Sequence, residues 1–389
     1  KGDMTLEADK NYEISQKFVV DDGHTVTIEP GTIIKGREGT GSVASAMIVA
    51  RGGRVIAEGT PEKPIIFTSV LDNIQIGEKW GDNLTENDRE KWGGLIILGK
   101  APISAGDGDT EAQIEGIPAD EDFGKYGGDD PEDDSGIFRY ISVRHGGALI
   151  GEGNEINGIT LGGVGNGTVF ENIEVSGTLD DGVEFFGGSV NAKNIIVTYQ
   201  GDDAIDLDQN YSGTIENVLV VHGGDDSDKA LEIDGPEGTL EDGLFTIDKG
   251  TFVFVGGSGT GGDFKSKAQG TLKNSVFIGY GDMPTVLIRE SFDADNNCAA
   301  KTDAYDYLVA EEPRLIFDNV KIVSNSTLST LFNLYSSNCE DSITQEMRDL
   351  MIKVLSNSNT SAVNEIPENI GADISVFDWT WSAARGFLP

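Results

Sequence analysis

The chain has 389 residues with 52 Gly, and its 67 acidic against 28 basic residues give a formal net charge of −39. Such a surface repels phosphate backbones and anionic lipid heads, which argues against nucleic acid and membrane surfaces and makes cations the natural partners. Charged residues at 24% and apolar ones at 38% describe a globular chain, while Gly at roughly twice its usual share argues against a helical bundle.

In chain order, the first predicted elements are short strands punctuated by Gly and Pro: Val26–Ile28, Thr32–Ile34, Met47–Val49, Val55–Ile56 and Ile65–Phe67. From residue 159 the pattern becomes periodic. The motif apolar-x-Asn-apolar-x-apolar appears at Phe170–Val175, Ala192–Val197 and Ile215–Val220, with its asparagines 22 and 23 residues apart, and returns around Asn274 and Asn319. Second strands alternate with it: Ile159–Gly162, Val183–Phe186, Ile205–Asp208 and Leu231–Asp234. No room is left for a crossover helix. Equivalent strands about 22 residues apart then stack in parallel only if the chain coils. The fold predicted is all-β, a single right-handed parallel β-helix over residues 1–389 of about ten coils. Ile159, Val183, Ile205 and Leu231 form one inward column, and Leu161, Phe185, Leu207 and Ile233 the next. Asn172, Asn194 and Asn217 would form an amide ladder at a corner.

Four stretches break the period and are predicted insertions: about 71–92, 104–136, 289–313 and 333–372. The last holds the one convincing helix, near the C-terminus, where Ser342–Gln345 resembles a capping box ahead of Ile343, Met347, Leu350, Met351 and Val354 at helical spacing. Its expected place is over one end of the solenoid. Cys298 and Cys339 lie in polar loops and can form one disulfide in an oxidising compartment; two free thiols are the alternative. Trp80, Trp92, Trp379 and Trp381 read either as a sugar-stacking platform or as small satellite cores.

Several segments resemble a family of right-handed β-helix cell-surface proteins, often lipoproteins, of Gram-negative bacteria. They include Gly59-Thr-Pro61, Lys91-Trp92-Gly-Gly, Ile114–Pro118, Arg144-His145-Gly-Gly147, Asn154–Asn157, Asp181–Gly188, Gly201–Asp203, Leu231–Glu237 and Phe377–Trp381. The resemblance implies export and display at the outer surface, with a lipid anchor expected on a residue preceding Lys1. It implies no established activity.

The chemistry of the chain is acidic. Strands in a sheet lie about 4.8 Å apart, so outward residues of successive coils stack at that distance. Glu184, Asp206 and Glu232 form one such column, Asp208 and Asp234 part of another, and the preceding turn adds Asp180, Asp202 and Asp228, with Asp181 beside Asp203. Stacked carboxylates must be protonated, neutralised by cations or relieved by bases. Ca²⁺, which takes six to eight oxygens, is the cofactor this predicts; a solvated face without an ion is the bland alternative. Lys265 and Lys267 are expected to cap the two columns.

A second resemblance is to polygalacturonases, whose motifs run Asn-Thr-Asp, Gly-Asp-Asp, Gly-His-Gly and Arg-Ile-Lys on successive coils. Here Leu179-Asp-Asp181, Gly201-Asp-Asp203, Val221-His222-Gly-Gly224 and Phe264-Lys265-Ser-Lys267 stand in that order. It implies Asp181, Asp202, Asp203, His222, Lys265 and Lys267 as catalytic candidates for an acidic glycan. The Asn-Thr pair and the Arg are missing, however, and the repeat itself yields Asp-Asp at this corner. Weaker signals are the Ca²⁺-loop-like Asp293-x-Asp295-x-Asn297 and Asp107-x-Asp109-x-Glu111. His24, His145 and His222 fall on different coils, which argues against zinc. The functional reading is a secreted or surface-displayed binding scaffold with Ca²⁺-binding ladders and surface glycans or proteins as partners. The alternative is a hydrolase or lyase of uronate-containing polysaccharide.

Overall fold

In a computed structural model, residues 2–118, 120–151, 154–223 and 227–389 are described. The chain coils as a parallel β-helix whose walls are a sixteen-stranded and a ten-stranded sheet. The ten-stranded sheet runs from Lys17–Val20 to Phe332–Tyr335, matching the expected number of coils. Its register stacks Ile159 on Val183, Ile205 and Leu231, and Leu161 on Phe185, Leu207 and Ile233, all buried in one continuous apolar core.

The sixteen-stranded sheet owes its continuity to one corner. Gly136–Arg144, Val169–Ser176, Ala192–Thr198, Thr214–His222 and Phe245–Phe254 each turn a corner in mid-strand. The corner residues Tyr140, Asn172, Asn194, Asn217 and Lys249 have φ of 51°, 57°, 55°, 64° and 61°. Asn tolerates this left-handed conformation better than most residues. It also closes the predicted ladder: Asn217 Nδ2 donates to Asn194 Oδ1 and Asn194 Nδ2 to Asn172 Oδ1, each at 2.9 Å. A second ladder links Asn359, Asn319, Asn274 and Asp248. In earlier coils the two halves on either side of this corner are still separate strands. Arg54–Glu58 and Ile65–Ser69 pair with the first and second halves of Gly136–Arg144.

The insertions close open surfaces. Segment 104–136 forms a hairpin, Glu111–Gln113 with Lys125–Gly127, over the outer face of the ten-stranded sheet. Ile114, Ile117 and Tyr126 pack there on Ile48, Ile96 and Leu98. Segment 71–92 holds no helix or strand. Segment 289–313 adds a hairpin and α1 (Ala304–Val309), whose capping box is Asp303 and Asp306. Stretch 333–372 is not wholly outside the solenoid. It contains most of the last strand of the ten-stranded sheet and Ser361–Val363, the last of the other.

The helix content exceeds the single helix expected. α2 (Leu328–Leu331), α3 (Gln345–Asn357) and α4 (Trp381–Ala384) join α1, the short ones giving too few residues for a periodic signal. α3 is the predicted helix, and its Met351 and Leu355 enter the core at the C-terminal end. Its N-cap is Thr344, which accepts from Met347 N, rather than Ser342, which lies in a preceding 3-10 turn. Cys298 and Cys339 are bonded, with Cα atoms 5.9 Å apart.

The C-terminal segment returns as a strap along the outer face of the sixteen-stranded sheet. Asp373 N donates to Asn217 Oδ1, and Phe377 buries against Ile196, Leu219 and Val253. Glu174, fully buried, accepts from Ser142 Oγ at 2.6 Å, Trp381 N at 3.1 Å, and Ser382 N and Oγ, both at 2.7 Å. Trp92, Trp379 and Trp381 are buried and only Trp80 is exposed, so the four tryptophans form no platform. They sit instead in separate packing roles, Trp379 edge-on to Tyr140 and Trp381 to His145.

Two outcomes follow for stability. Glu174→Ala leaves buried donors without an acceptor and should destabilise by about 3 kcal/mol, with a red shift of tryptophan emission as the strap lifts; wild-type denaturation and emission would show that Glu174 does not hold it. Replacing Cys298 and Cys339 by Ser opens a closed loop of sequence separation 41. The loop-entropy limit is roughly 4 kcal/mol, checked by denaturant unfolding beside an alkylation count in intact-mass spectra.

Candidate functional site

On the outer face of the ten-stranded sheet one column reads Ile48, Ile96, Thr160, Glu184, Asp206, Glu232, Asp263. The apolar rungs lie beneath the 104–136 hairpin, and the column turns acidic at Glu184, beside which Tyr126 of the hairpin packs on Phe186. The preceding turn stacks a second column, Asp181, Asp203 and Lys229, through Gly182 N to Asp203 O and Ala204 N to Lys229 O. Asp202 and Asp228 stack beside it.

The acids are not the solvated face that outward positions imply. Asp181, Glu184, Asp203 and Asp206 are 6%, 6%, 3% and 7% exposed. Four groups bring three carboxylate oxygens within 4.8 Å of one another: Asp180, Asp181 and Asp202; Asp181, Glu184 and Asp206; Asp202, Asp203 and Asp228; Asp206, Asp208 and Asp234. No histidine or cysteine enters them among the described residues. Burial, reinforced by the neighbouring carboxylates, holds Asp181, Glu184 and Asp206 well above the usual carboxylate range. The same causes push Asp203 to about 9 and Asp208 to about 8. They raise Asp202 and Asp234 as well. Glu232 is the exception: burial pushes it up, but Lys229 and Lys265 outweigh that and hold it low.

Two bases relieve part of the ladder. Lys229 Nζ lies 2.6 Å from Asp228, 2.8 Å from Glu232 and 3.5 Å from Asp203. Lys265 Nζ lies 3.1 Å from Glu232 and 3.3 Å from Asp234. Asp181, Glu184 and Asp206 have no ion pair among the described residues. Asp206 Oδ1, Asp203 Oδ1 and the amide oxygen of Asn157 are buried without a hydrogen-bond partner. Asn157 is itself 1% exposed and donates through its Nδ2 to Glu184.

The register corrects two expectations. Phe264 stacks on Ile233, not on Leu231, so Asp263 follows Glu232 and Lys265 follows the Asp208–Asp234 column. Lys265 still reaches both columns because its stem spans the difference. Lys267 caps neither, because its backbone turns left-handed (φ 65°) and its ammonium pairs with Glu241 at 3.1 Å. Asp263 is fully buried and answered by Arg289, which also stacks on Tyr335. Sequence reasoning passed over Lys229, although it stands in the turn position that Asp203 and Asp181 occupy one and two coils earlier. Asn157 and the Asp263–Arg289 pair carried no periodic signal.

Of the six catalytic candidates, Asp181, Asp202 and Asp203 come together and Lys265 is near them. His222 is turned elsewhere: its Nδ1 faces Tyr280 Oη at 3.1 Å, its ring lies edge-on to Phe254, and burial pulls it down to about 4. Gly224 lies outside the described residues. The two Ca²⁺-loop-like segments are otherwise engaged. Asp293 caps a 3-10 turn and pairs with Lys301, and Glu111 pairs with Arg51; the side chain of Asp107 lies outside the description.

Among solved structures, the chain is similar to the catalytic domain of a GH87 α-1,3-glucanase in complex with tetrasaccharides, at 10% identity and a TM-score of 0.36. A nigerose complex of such a domain gives 11% and 0.36. Each likeness covers 87% of this chain and 63% of the other, so the chain spans less than two thirds of those structures. No curated protein matches. The family profile described as pectate-lyase like beta helix domain matches residues 1–286, well over half of the sequence, and the chain belongs to that family.

Proposed function

We propose that the protein is an exported β-helix binding scaffold whose acidic ladder holds Ca²⁺ between Asp181, Glu184 and Asp206. The observation that carries this reading is the buried convergence of those three carboxylates within 4.8 Å, without an ion pair among the described residues. Asp206 Oδ1 and the Asn157 amide oxygen, both buried and unpartnered, supply further lone pairs. All the donors are oxygen, which favours a hard cation, and the number available suits Ca²⁺. The ion would do what protons otherwise do, relieving repulsion between rungs, while Asp202 and Asp228 stay exposed at the edge of the ladder. Surface glycans or other surface proteins are the partners such a scaffold would take. Export to the bacterial surface is supported by the Cys298–Cys339 bridge, since disulfides persist in oxidising compartments, and by the motif resemblance to Gram-negative surface proteins. Among the described residues no helix is long and apolar enough to cross a membrane.

A second reading, an acidic-glycan hydrolase, is favoured by one observation. Asp203, held protonated to about 9, sits beside Asp202 as a general acid must sit beside a second carboxylate. Release of reducing ends from polygalacturonate by the purified protein, lost in Asp202→Asn and Asp203→Asn, would replace the scaffold reading. The expected result is glycan binding without turnover.

The ladder also sets a pH dependence. A carboxyl whose pKa rises on folding stabilises fully below its unfolded value near 4, and that contribution is lost as pH rises through the folded value. With Asp208 at about 8 and Asp203 at about 9, the melting temperature in chelator should fall between pH 5 and pH 9. Ca²⁺ should cancel the fall, since ligand at 100-fold its Kd stabilises by about 2.7 kcal/mol. Asp206→Asn should raise stability in chelator at pH 8 and weaken the response to Ca²⁺. Melting curves indifferent to both pH and chelator would mean a solvated, ion-free face.

A further inference from the structure

Lys229 is placed unlike any other base on the ladder. It occupies the third rung of the Asp181–Asp203 column, where the repeat would otherwise set another aspartate beside Asp228. Its side chain is only 12% exposed, and its ammonium reaches Asp203, Asp228 and Glu232 at once. Asp202, Asp203 and Asp228 meanwhile keep oxygens within 4.8 Å of one another, the spacing of the Asp181 group one coil away. Asp203 is 3% exposed and its Oδ1, despite the nearby ammonium, has no hydrogen-bond partner. The carboxylate group beside Lys229 is therefore built like the ion-ready one, with a covalently tethered monocation against two of its three members.

We propose that Lys229 is a built-in counter-ion that holds the place of a divalent cation at Asp202, Asp203 and Asp228, and so confines Ca²⁺ to the Asp181 end of the ladder. The inference deepens the Ca²⁺ reading and rests on it. An ammonium held against Asp203 and Asp228 repels a divalent cation placed between the same carboxylates, so both do not occupy one cage. A tethered charge needs no calcium supply, so the Lys229 end of the ladder keeps its counter-charge whatever the calcium level. The Asp181 end then responds to calcium alone. Lys265, 3.3 Å from Asp234, works against an ion in the Asp206, Asp208 and Asp234 group in the same way.

The test is calcium titration by calorimetry, with bound metal counted by elemental analysis, on wild type, Lys229→Met and Lys229→Arg. Met keeps the stem and removes the charge; Arg keeps the charge. The expected result is one more Ca²⁺ bound by Lys229→Met than by wild type, and no change in Lys229→Arg. Lys229→Met should also melt lower than wild type in chelator and recover in Ca²⁺. Equal stoichiometry in wild type and Lys229→Met overturns the inference and leaves the Asp181 site standing. A wild type that binds none beside a Lys229→Met that binds one removes the Asp181 site and keeps the counter-ion. No binding by either removes both. A Lys229→Met protein that stays unfolded at every calcium concentration also overturns the proposal, because an ion that can take the lysine's place should restore it.

Discussion

Parallel stacking at about 4.8 Å per rung places each residue on its equivalent in the next coil, and the rest of this structure follows from that spacing. For aliphatic residues the consequence is favourable: Ile on Val on Ile on Leu removes every member from water. For asparagine it is favourable too, because an amide is both donor and acceptor and its copy one rung away answers it. For carboxylates the same spacing is unfavourable, because like charges are held side by side. Glu184, Asp206, Asp181 and Asp203 stand at that unfavourable limit and are buried as well.

The chain relieves the ladder unevenly. At one end the hairpin over Ile48 and Ile96 excludes water up to Glu184, raising the free energy of the charged forms. At the other end Lys229 and Lys265 enter the columns and Arg289 answers Asp263. Between them lies a stretch with burial but, among the described residues, no ion pair to Asp181, Glu184 or Asp206, where protonation or a cation must make up the difference. This gradient along one wall distinguishes the ladder from an ordinary acidic surface. It makes the Asp181–Glu184–Asp206 group a chemically distinct place on an otherwise repetitive scaffold.

The second wall solves a different problem. Its outer column runs Ser142, Glu174, Ile196, Leu219, Thr251, a mixture that would expose aliphatic side chains to solvent. The C-terminal strap covers them with Phe377 and fastens its far end on Glu174, whose carboxylate receives donors from the strap and from the neighbouring coil. The glutamate would be costly to bury alone; with its lone pairs filled it serves as a latch.

By itself the sequence determined what repetition determines. The coil, the two inward columns, the Asn ladder and the membership of the acidic columns all follow from a period near 22 residues, because a residue's neighbour in a β-helix is its copy one period away. The same logic could have placed Lys229, which occupies a repeat position. It failed for Lys265 and Lys267, because the turn before Phe264 shifts the register by two residues and moves Asp263 into the column instead. Only the tertiary structure decided the burial of the acids, the turning of His222 toward Tyr280, the dispersal of the tryptophans and the latch on Glu174. Except for His222, whose partner Tyr280 stands in a turn of the solenoid itself, each of these depends on an insertion or a terminal segment folding back over a wall, and such long-range contacts leave no period in the sequence that could announce them.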